Sequence, residues 1–495
     1  MKFRPLIAAA ALSLAASGVL HGKVALAQGL PDLGDASSAS LSESQEKTIG
    51  NRIMRDVRID PDYIDDPEVA DYIQSLGSRL ASVADGPHPD FDFFVVRDET
   101  INAFALPGGH IGVNSSLIML TENESELAGV VGHEIAHILQ HHQARMIQGS
   151  RGVQFTSLAA LALAVLAARG SSSQSGQITE AAVASAGAMN IQNQLNFTRE
   201  HEREADRVGL TLLERAGFAP RAMGTFFERL LRSNRLNELK GAPSYLRTHP
   251  LTTERIADIQ DRVEHLPSRL VGDTFEYRIA RAKLRAAAGS PAEALTLFRT
   301  LLEDKTVMRP REDVYGLALA QRRARDFEGA WKTLAPLRTG ASHPAFELLA
   351  GELAHDMGRP DEALALYRSA LKTSPHYRAM VYAWLDLMLD RGHVKEALAD
   401  LDERLRTTQD DARLHEIEAR AFEAEGRPIA QHRAQAEAQY RRGNLGAAVD
   451  QLQIALRTKD SKGDFYEMSS AESRLRDLRA QLEVERAAEK ALKIS

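Results

Sequence analysis

The most constraining feature of this 495-residue chain is a pattern that recurs about every 34 residues in its C-terminal half. Each copy reads Gly-x-x-x-x-Ala, and successive alanines of the first four copies are 36, 33 and 34 residues apart. The copies are Gly289 to Ala294, Arg325 to Ala330 (which lacks the glycine), Gly358 to Ala363, Gly392 to Ala397 and Gly443 to Ala448. A period of this length predicts stacked helix pairs, because one pair cannot bury its apolar side without a neighbour.

This period is typical of tetratricopeptide repeats, and it predicts an all-α superhelix over residues 269–495. The spacing falls out of step near Gly426, so the sequence leaves the number of repeats open. Such arrays usually bind protein on a concave face. One interpretation is therefore that the array captures clients or docks on an assembly machine, and the other is that it only stabilises the region before it.

A second motif, His133-Glu134-Ile135-Ala136-His137, precedes the repeats. On a helix, residues four apart lie on one face, so both imidazoles point the same way. Two histidines in this spacing are typical zinc ligands, and Glu134 between them is suited to accept a proton from a water that the metal makes acidic. The motif predicts a zinc hydrolase.

The residues around the motif predict a helix. Thr121 and Glu124 have capping-box spacing, which predicts a helix start just upstream. An apolar stripe then continues through the motif. A rival metal-binding pair, His137 and His141, lacks a carboxylate in second place, so we interpret His141 and His142 as solvated or helix-end residues.

Two histidines leave a catalytic zinc short of one protein ligand. The acidic stretch 199–206 is the best donor, and Glu202 and Asp206 in it share a helix face. One of them can bind the metal while the other accepts a hydrogen bond from a liganding imidazole. By chemistry alone, Glu200, Glu204 and His201 remain alternatives.

The segment upstream of the motif predicts one helix and a small sheet. Asp66-Pro67 supplies an N-cap and a first-turn proline, and three short extended runs follow at 91–96, 103–106 and 110–114. The open edge of a strand beside a zinc site can pair with an extended peptide substrate, although a plain structural hairpin fits equally well. His110 is interpreted as an ordinary strand histidine.

The N-terminal residues predict export from the cytoplasm. Residues 1–27 have the basic start, apolar centre and small-residue end of a secretory signal peptide, and residues 28–44 lack periodicity and predict a flexible lead-in. The chain has no cysteine, so any zinc must be held by nitrogen and oxygen. A net charge of −7 without a long basic run gives no reason to expect nucleic acid.

Residues 153–189 contain two apolar, alanine-rich pieces, at 158–168 and 181–189. Both are shorter than the 18 or more residues expected of a transmembrane helix. They predict either a buried helical hairpin or a hydrophobic surface that touches a membrane or an unfolded client.

Three motifs together resemble one known family. The His-Glu-x-x-His motif, the downstream Glu-x-x-Ala-Asp of Glu202 to Asp206 and the upstream stretch 102–109 are similar to the HtpX-type zinc metallopeptidases, peptidase family M48, which include the CAAX prenyl proteases. The resemblance spans roughly residues 45–265. It implies a zincin-like α+β domain at 45–268 with one zinc on His133, His137 and Glu202, catalytic Glu134, and Asp206 as a hydrogen-bond partner of a ligand.

The domain order narrows the resemblance. A signal peptide, no clear membrane span and a repeat domain behind the peptidase are similar to the periplasmic members of Gram-negative bacteria that assist outer-membrane protein assembly. The expected function is hydrolysis of misfolded or stalled envelope proteins, with the repeats docked on the outer-membrane assembly machinery and a peripheral contact with the membrane. The alternative is a chaperone or assembly factor that acts mainly through its repeats.

His249 belongs to a further stretch that recurs in this family, Leu246 to Leu251. Pro250 disfavours helix at its neighbour, which predicts that His249 lies in a loop. A loop histidine can occupy the open zinc position, so we consider His249 a reversible inhibitory ligand or a transition-state contact. A structural histidine before a turn is the other interpretation.

Overall fold

The computed structural model describes residues 42–149, 199–236, 244–266, 269–303, 310–340, 342–458 and 465–494. Helices dominate these residues, and a small sheet lies near the start, as the sequence predicts. Within the described ranges, no helix combines the length and the apolar composition that crossing a membrane requires. The predicted class, mainly helical α+β followed by an all-α array, is confirmed.

The first two helices begin at side-chain caps. In α1 (Glu43–Ile59) the hydroxyl of Ser42 accepts a hydrogen bond from a first-turn N–H, and in α2 (Pro67–Ala81) the carboxylate of Asp66 accepts two. The start of α2 confirms the prediction from Asp66-Pro67. The start of α1 lies two residues inside the segment predicted to be a flexible lead-in.

Three strands form one sheet in the order β1-β3-β2. β1 (Asp92–Val96) runs parallel to β3 (His110–Asn114), and β2 (Ala103–Leu106) runs antiparallel to it. Gly108 and Gly109 turn the chain between β2 and β3 with φ of 80° and 92°, which residues with a side chain rarely adopt. The three predicted strands are confirmed, with β1 starting one residue later than predicted. β2 lies at an edge of the sheet.

The N-cap of the motif helix lies two residues later than the sequence predicts. Thr121 follows the short α3 (Ser115–Leu120), and its hydroxyl donates to a carbonyl of that helix at 2.9 Å. The N-cap of α4 (Glu124–Leu139) is instead Asn123, whose side-chain oxygen accepts from an N–H of the first turn. The capping-box prediction for Thr121 was wrong because the preceding helix already uses its hydroxyl.

Five further helices lie in the described part of the N-terminal region. They are α5 (His142–Gly149), α6 (Arg199–Arg215), α7 (Arg221–Leu236), α8 (Ser244–Thr248) and α9 (Thr253–Glu264). The predicted signal peptide at 1–27, most of the lead-in at 28–44 and the apolar pieces in 153–189 lie outside the described residues.

The core of this region is built around α4. Every residue of this helix from Glu124 to His137 is buried, since α2, α6, α7 and β2 pack around it. A helix covered on all sides needs apolar residues around its whole circumference, and Leu127, Val130 and Ile135 supply them. The two histidines and the glutamate of the motif are therefore carried by the least exposed helix of the region.

The described residues of the C-terminal region form a succession of helices in which neighbours along the chain pack together. They are α10 (Phe275–Ala287), α11 (Pro291–Glu303), α12 (Arg311–Arg323), α13 (Phe327–Leu334), α14 (Pro344–Asp356), α15 (Pro360–Leu371), α16 (Arg378–Asp390), α17 (Val394–Thr407), α18 (Ala412–Ala424), α19 (Pro428–Arg441), α20 (Leu445–Arg457) and α21 (Phe465–Ile494). The predicted array of helix pairs is confirmed.

The backbone conformation at the helix ends explains why glycine recurs there. Gly289, Gly358, Gly392 and Gly443 end helices with φ between 54° and 78°, a left-handed conformation that favours glycine. Arg325, at the copy that lacks the glycine, adopts the same conformation with φ of 64°. The turn geometry is therefore common to these copies, whether or not a glycine supplies it.

The array contacts the N-terminal region at its two ends and in its middle. Lys283 of α10 pairs with Asp66, at 2.6 Å, and with Glu68. Arg55 of α1 pairs with Glu485 of α21 at 2.9 Å. Arg378 of α16 also pairs with Asp71, so charged contacts join the two regions near the start, in the middle and near the end of the array.

Candidate metal centre

Helix α4 directs His133 and His137 to one point. Both side chains are fully buried, and their Nε2 atoms lie 3.0 Å apart. Two ring nitrogens at this distance point into the same small volume. The spacing of four residues on one helix therefore produces the converging pair that the sequence predicts.

Glu202 reaches the same point from α6. Its carboxylate oxygens lie 3.4 Å from His133 Nε2 and 3.5 Å from His137 Nε2. Burial alone raises the pKa of Glu202, but the neighbouring His249 and His133 hold it well below its usual range. The carboxylate is therefore ionised and able to bind a cation.

Two glycines allow α4 and α6 to approach this closely. A Cβ on Gly209 would lie 3.1 Å from the backbone nitrogen of His133, and one on Gly132 would lie 3.0 Å from a methyl of Leu213. The helices therefore touch backbone to backbone directly beside the first histidine.

The three side chains fit a tetrahedral zinc. With bonds of about 2.0–2.1 Å, tetrahedral zinc holds its ligand atoms about 3.3–3.4 Å apart. The two ring nitrogens lie 3.0 Å apart, one oxygen of Glu202 lies 3.4 Å from His133 Nε2, and the other oxygen lies 3.5 Å from His137 Nε2. Two nitrogens and one carboxylate oxygen are the kind of donor set found in catalytic zinc sites that keep one position open.

His249 lies beside these three side chains. It follows α8 immediately, as predicted for a residue before proline, and its Nδ1 lies 3.0 Å from Glu202 and 3.4 Å from His133 Nε2. Its ring stacks on Tyr245 with centroids 4.8 Å apart. Ligand atoms of His133, His137, Glu202 and His249 all lie within 4.8 Å of one another.

Glu134 borders the cluster and is buried. Its Oε1 lies 3.5 Å from His249 Nε2, and neither carboxylate oxygen has a hydrogen bond of good geometry to the described residues. Burial raises the pKa of Glu134, and the nearby His249 and His133 offset part of that increase. A carboxylate with a raised pKa is suited to exchange protons near neutral pH.

Asp206 and Arg255 hold His133 from behind. The Nδ1 of His133 lies 3.0 Å from Asp206 Oδ1, and Arg255 donates two hydrogen bonds of 2.7 Å to the same carboxylate. Arg255 also pairs with Glu202 at 2.6 Å and donates to the carbonyl of Pro250 at 2.9 Å. One buried guanidinium thus connects two carboxylates of α6 to the His249 loop.

The pKa values of the two motif histidines differ. Burial alone lowers the pKa of His133, but its hydrogen bonds to Asp206 and Glu202 raise it to about 9. Burial and the neighbouring His133 lower the pKa of His137 well below its usual range. Without a metal, the hydrogen bonds to the two carboxylates therefore favour the protonated form of His133.

The alternatives left open by the sequence lie elsewhere. Glu200 is exposed, Glu204 bonds to His142 at 3.1 Å, and His201 stacks on His142. His110 lies on β3 and bonds to Asp92 at 3.0 Å. These four side chains do not join the cluster of ligand atoms.

Two residues of the site were missed or misread from the sequence. His142 begins α5, as the helix-end interpretation predicts, but it is buried, so the prediction that it is solvated was wrong; the exposed His141 agrees with its prediction. Arg255 was not singled out at all. The available signal was that Arg255 occupies the buried face of α9 four residues before Ile259 and eight before Val263, where an apolar residue is expected.

Comparison with known proteins supports both halves of this description. The family model for peptidase family M48 matches residues 67–263, and a tetratricopeptide-repeat model matches residues 354–421. These matches include the candidate metal centre and the middle of the helical array.

Several characterised proteins are similar to this chain. The beta-barrel assembly-enhancing protease of Escherichia coli strain K12 is 33% identical over 433 residues, which cover 86% of each chain. The protease of the same name from Yersinia pestis is 33% identical over 310 residues, 62% of each chain. The mitochondrial metalloendopeptidase OMA1 of Schizosaccharomyces pombe is 31% identical over 190 residues, 38% of this chain and 52% of that protein.

Proposed function

We propose, from the premise that this chain belongs to peptidase family M48 and is a metalloendopeptidase, that it is a zinc enzyme of the periplasm. In this proposal it hydrolyses misfolded or stalled envelope proteins and acts in the assembly of outer-membrane proteins. The observation that supports it best is the convergence of His133, His137 and Glu202 beside the buried Glu134. The proposed domains are a peptidase domain at 45–268 and a repeat domain at 269–495.

His133, His137 and Glu202 are the proposed protein ligands of one zinc ion, and Asp206 is the proposed partner that orients His133. Nitrogen and oxygen donors at these separations favour zinc over calcium or magnesium, which prefer oxygen alone. When bound, zinc supplies Lewis-acid chemistry, because it polarises a carbonyl group and makes a water more acidic.

Glu134 is the proposed general base. Its carboxylate accepts a proton from the water that attacks the peptide carbonyl, and then transfers this proton to the nitrogen of the leaving amine. Its burial supports this role, since a raised pKa brings the carboxylate closer to neutral pH. Tyr245, Arg247 and His249 are the candidates for a contact to the developing oxyanion. The exposure of Arg247 and the burial of Tyr245 and His249 favour the latter two.

Strand β2 is the proposed docking edge for the substrate backbone. It lies at the edge of the sheet beside α4, and the side-chain amide of Gln143 donates to the carbonyl of Ala105 at 2.7 Å. An extended peptide paired with this edge would make the same kind of contact through its own N–H groups. Pairing would hold the scissile bond near Glu134.

His249 is the proposed reversible occupant of the open metal position, or alternatively a transition-state contact. The distances of 3.0 Å to Glu202 and 3.4 Å to His133 support direct competition for the metal. A His249→Ala variant tests this, with increased peptide hydrolysis expected for an inhibitory ligand and decreased hydrolysis for a catalytic contact. Unchanged hydrolysis by the purified variant would remove the idea.

The proposed location and clients rest on the sequence and on the relatives. The signal-peptide pattern at 1–27 and the name of the 33% identical relative, a beta-barrel assembly-enhancing protease, both favour the bacterial envelope. Tetratricopeptide repeats bind proteins, and we propose the outer-membrane assembly machinery as their partner. The proposed contact of residues 153–189 with a membrane remains a sequence prediction.

A second function has support from the repeat domain. The chain would then act mainly as a chaperone or assembly factor, with restrained peptidase activity. The array of α10 to α21 extends over nearly half of the chain, and His249 lies close enough to the metal centre to restrain it. The two functions are compatible within one protein.

One experiment tests the site and separates the two functions. Zinc content and casein hydrolysis are measured for the wild type, for Glu134→Gln and for Glu99→Gln, whose glutamate is exposed. We expect Glu134→Gln to keep zinc and to lose about 10²- to 10⁴-fold in hydrolysis, while Glu99→Gln matches the wild type. If an assembly defect of the deletion strain is still repaired by Glu134→Gln, the binding function dominates. Full hydrolysis by Glu134→Gln would contradict the proposed mechanism.

A further inference from the structure

His142 is a buried histidine beside the site that the proposed mechanism leaves without a task. It is the first residue of α5 and is fully buried, whereas the preceding His141 is exposed. Its ring stacks on that of His201 with centroids 4.4 Å apart and an interplanar angle of 19°. The stacking and the burial fix the plane of the His142 ring.

The two nitrogens of this ring contact two different partners. Nδ1 lies 2.8 Å from Nδ1 of His137, and Nε2 lies 3.1 Å from Oε2 of Glu204. Arg145 donates to the same glutamate oxygen at 2.9 Å. The contacts form a chain that runs from His137 through His142 to Glu204 and the cation of Arg145.

Only one arrangement of protons on neutral rings fits this chain when His137 binds a metal through Nε2. The hydrogen of His137 is then on Nδ1, which must donate to His142. His142 Nδ1 is therefore the acceptor, so its hydrogen is on Nε2 and donates to the carboxylate of Glu204. Each nitrogen has a defined role, and the chain ends on a charged group that accepts its last hydrogen bond.

We infer that His142, supported by Glu204, is a positioning residue that fixes the tautomer and the orientation of His137. This inference rests on the proposed metal role of His137. A metal-binding histidine usually donates its other N–H to a carboxylate, a backbone carbonyl or water. Here a second imidazole takes that place and passes the hydrogen bond on to a carboxylate.

The two motif histidines are thus supported in the same way, each by a hydrogen bond from its Nδ1. His133 donates to Asp206, which Arg255 holds, and His137 donates to His142, which Glu204 holds. Both supporting carboxylates lie on α6, the helix that also carries Glu202. The same helix therefore supplies a ligand and orients both rings of α4.

The test compares variants of His142 that keep or remove its hydrogen bonds. His142→Phe keeps a planar ring without nitrogens, whereas His142→Gln keeps an acceptor for His137 and a donor for Glu204. His141→Asn is the matched control, since asparagine tolerates the left-handed backbone of that residue, with φ of 51°. Zinc affinity is measured by competition with a chelator, and the visible absorption of the cobalt-loaded protein reports the ligand geometry.

We expect His142→Phe to bind zinc about 10- to 100-fold more weakly and to shift the cobalt spectrum. His142→Gln should recover most of the affinity, and His141→Asn should match the wild type. Wild-type affinity and spectrum in His142→Phe would overturn the inference. Equal losses in the Phe and Gln variants would also overturn it, because they would assign to His142 a role in packing only.

A second pair of variants tests the inferred role of His142 if changes of His142 itself prevent folding. Glu204→Ala removes the end of the chain at a half-exposed residue, and Glu200→Ala removes an exposed carboxylate of the same helix. We expect weaker zinc binding in Glu204→Ala alone, and equal binding in both variants would reject the inference. A wild-type protein that binds no zinc would instead reject the proposed function itself.

Discussion

The peptidase region and the repeat array bury different kinds of residue. At the centre of the peptidase region, α4 and α6 bury imidazoles and carboxylates around the guanidinium of Arg255. At the corresponding depth of the array, the recurring alanines are buried, and each is at most 2% exposed: Ala294, Ala330, Ala363 and Ala397. In the first region, buried charged groups stabilise one another through ion pairs and hydrogen bonds. In the second region, small side chains leave room for a neighbouring helix.

This difference predicts different ways to damage the two regions. Removing one member of a buried charge network leaves its partners unpaired in a medium that solvates them poorly. In the array, adding volume at a close helix contact forces neighbouring side chains apart.

Replacing Arg255 by leucine should cause the largest loss of stability. The variant leaves Asp206 and Glu202 buried without their cation, which typically costs about 3–5 kcal/mol. We expect this decrease in the free energy of unfolding of the metal-free protein, measured by urea denaturation and circular dichroism. Arg262→Leu is the control, because Arg262 lies on the same helix but is exposed. Equal stability of the two variants would contradict the role of Arg255.

The same glycine-to-alanine change should have different results in the two regions. A Cβ on Gly351 would lie 2.1 Å from the ring of Tyr367, and one on Gly209 would lie 3.1 Å from the backbone of His133. Overpacking of this kind costs about 1–3 kcal/mol. Gly209→Ala should also weaken zinc binding, because it separates α4 from α6, whereas Gly351→Ala should leave zinc binding unchanged.

Tryptophan fluorescence distinguishes these two variants, since both tryptophans of the chain, Trp331 and Trp384, lie in the array. Gly351→Ala should shift the fluorescence unfolding transition to lower urea. Gly446→Ala is the control, because its helical glycine has open space around it and alanine should stabilise the helix by about 0.5–1 kcal/mol. A loss of zinc affinity in Gly351→Ala would remove the contrast between the regions.

The affinity of the protein for zinc should increase as the pH rises near neutrality. In the metal-free protein, hydrogen bonds to Asp206 and Glu202 raise the pKa of His133 to about 9 against the lowering effect of burial. Zinc must displace this proton, so its affinity should rise about tenfold, or about 1.4 kcal/mol, from pH 7 to pH 8. A competition titration at the two pH values, corrected for the chelator, measures this change, and an affinity independent of pH would exclude a proton on His133.

The stability of the metal-free protein should depend on pH in the opposite direction. Because the folded pKa of His133 lies above its unfolded value of 6.5, its contribution is fully present below pH 6.5. This contribution is lost as the pH rises through about 9. Zinc-loaded protein should lack this decrease, and thermal unfolding at pH 6.5 and pH 9 with and without zinc tests the sign.

The smallest effects are expected at the turns of the array. Arg325 adopts φ of 64° without being glycine, so Arg325→Gly should stabilise the array by up to about 1 kcal/mol. Gly358→Ala makes the reverse change at φ of 75° with no atom near the new Cβ, and it should destabilise by a similar amount. Changes of the same sign in both variants would show that backbone strain at these turns is not the controlling factor.

The contrast also explains what the sequence predicted well. The helix pairs follow from a spacing of about 34 residues, and the start of α2 follows from Asp66-Pro67. Each motif is short and lies at the turn or the helix start that it predicts. The N-cap of α4 failed at the same local scale, because the hydroxyl of Thr121 also fits the end of the preceding α3.

The candidate site depended on contacts that no local pattern contains. His133, Glu134 and His137 are adjacent in sequence, but Glu202 had four competitors on its own stretch until a family resemblance favoured it. Arg255 was not singled out, and His142 was predicted to be solvated or at a helix end, because their roles come from burial against α6, which a sequence does not state. Charged and polar residues in the interior become visible only when the helices that cover them are known.

The central claim is that one zinc ion lies between two rings of α4 and one carboxylate of α6. Anomalous diffraction at the zinc edge from crystals of the zinc-loaded protein tests it most directly. We predict a single peak about 2.0–2.2 Å from Nε2 of His133, Nε2 of His137 and a carboxylate oxygen of Glu202. A peak at any other group of residues, or none, would contradict the account.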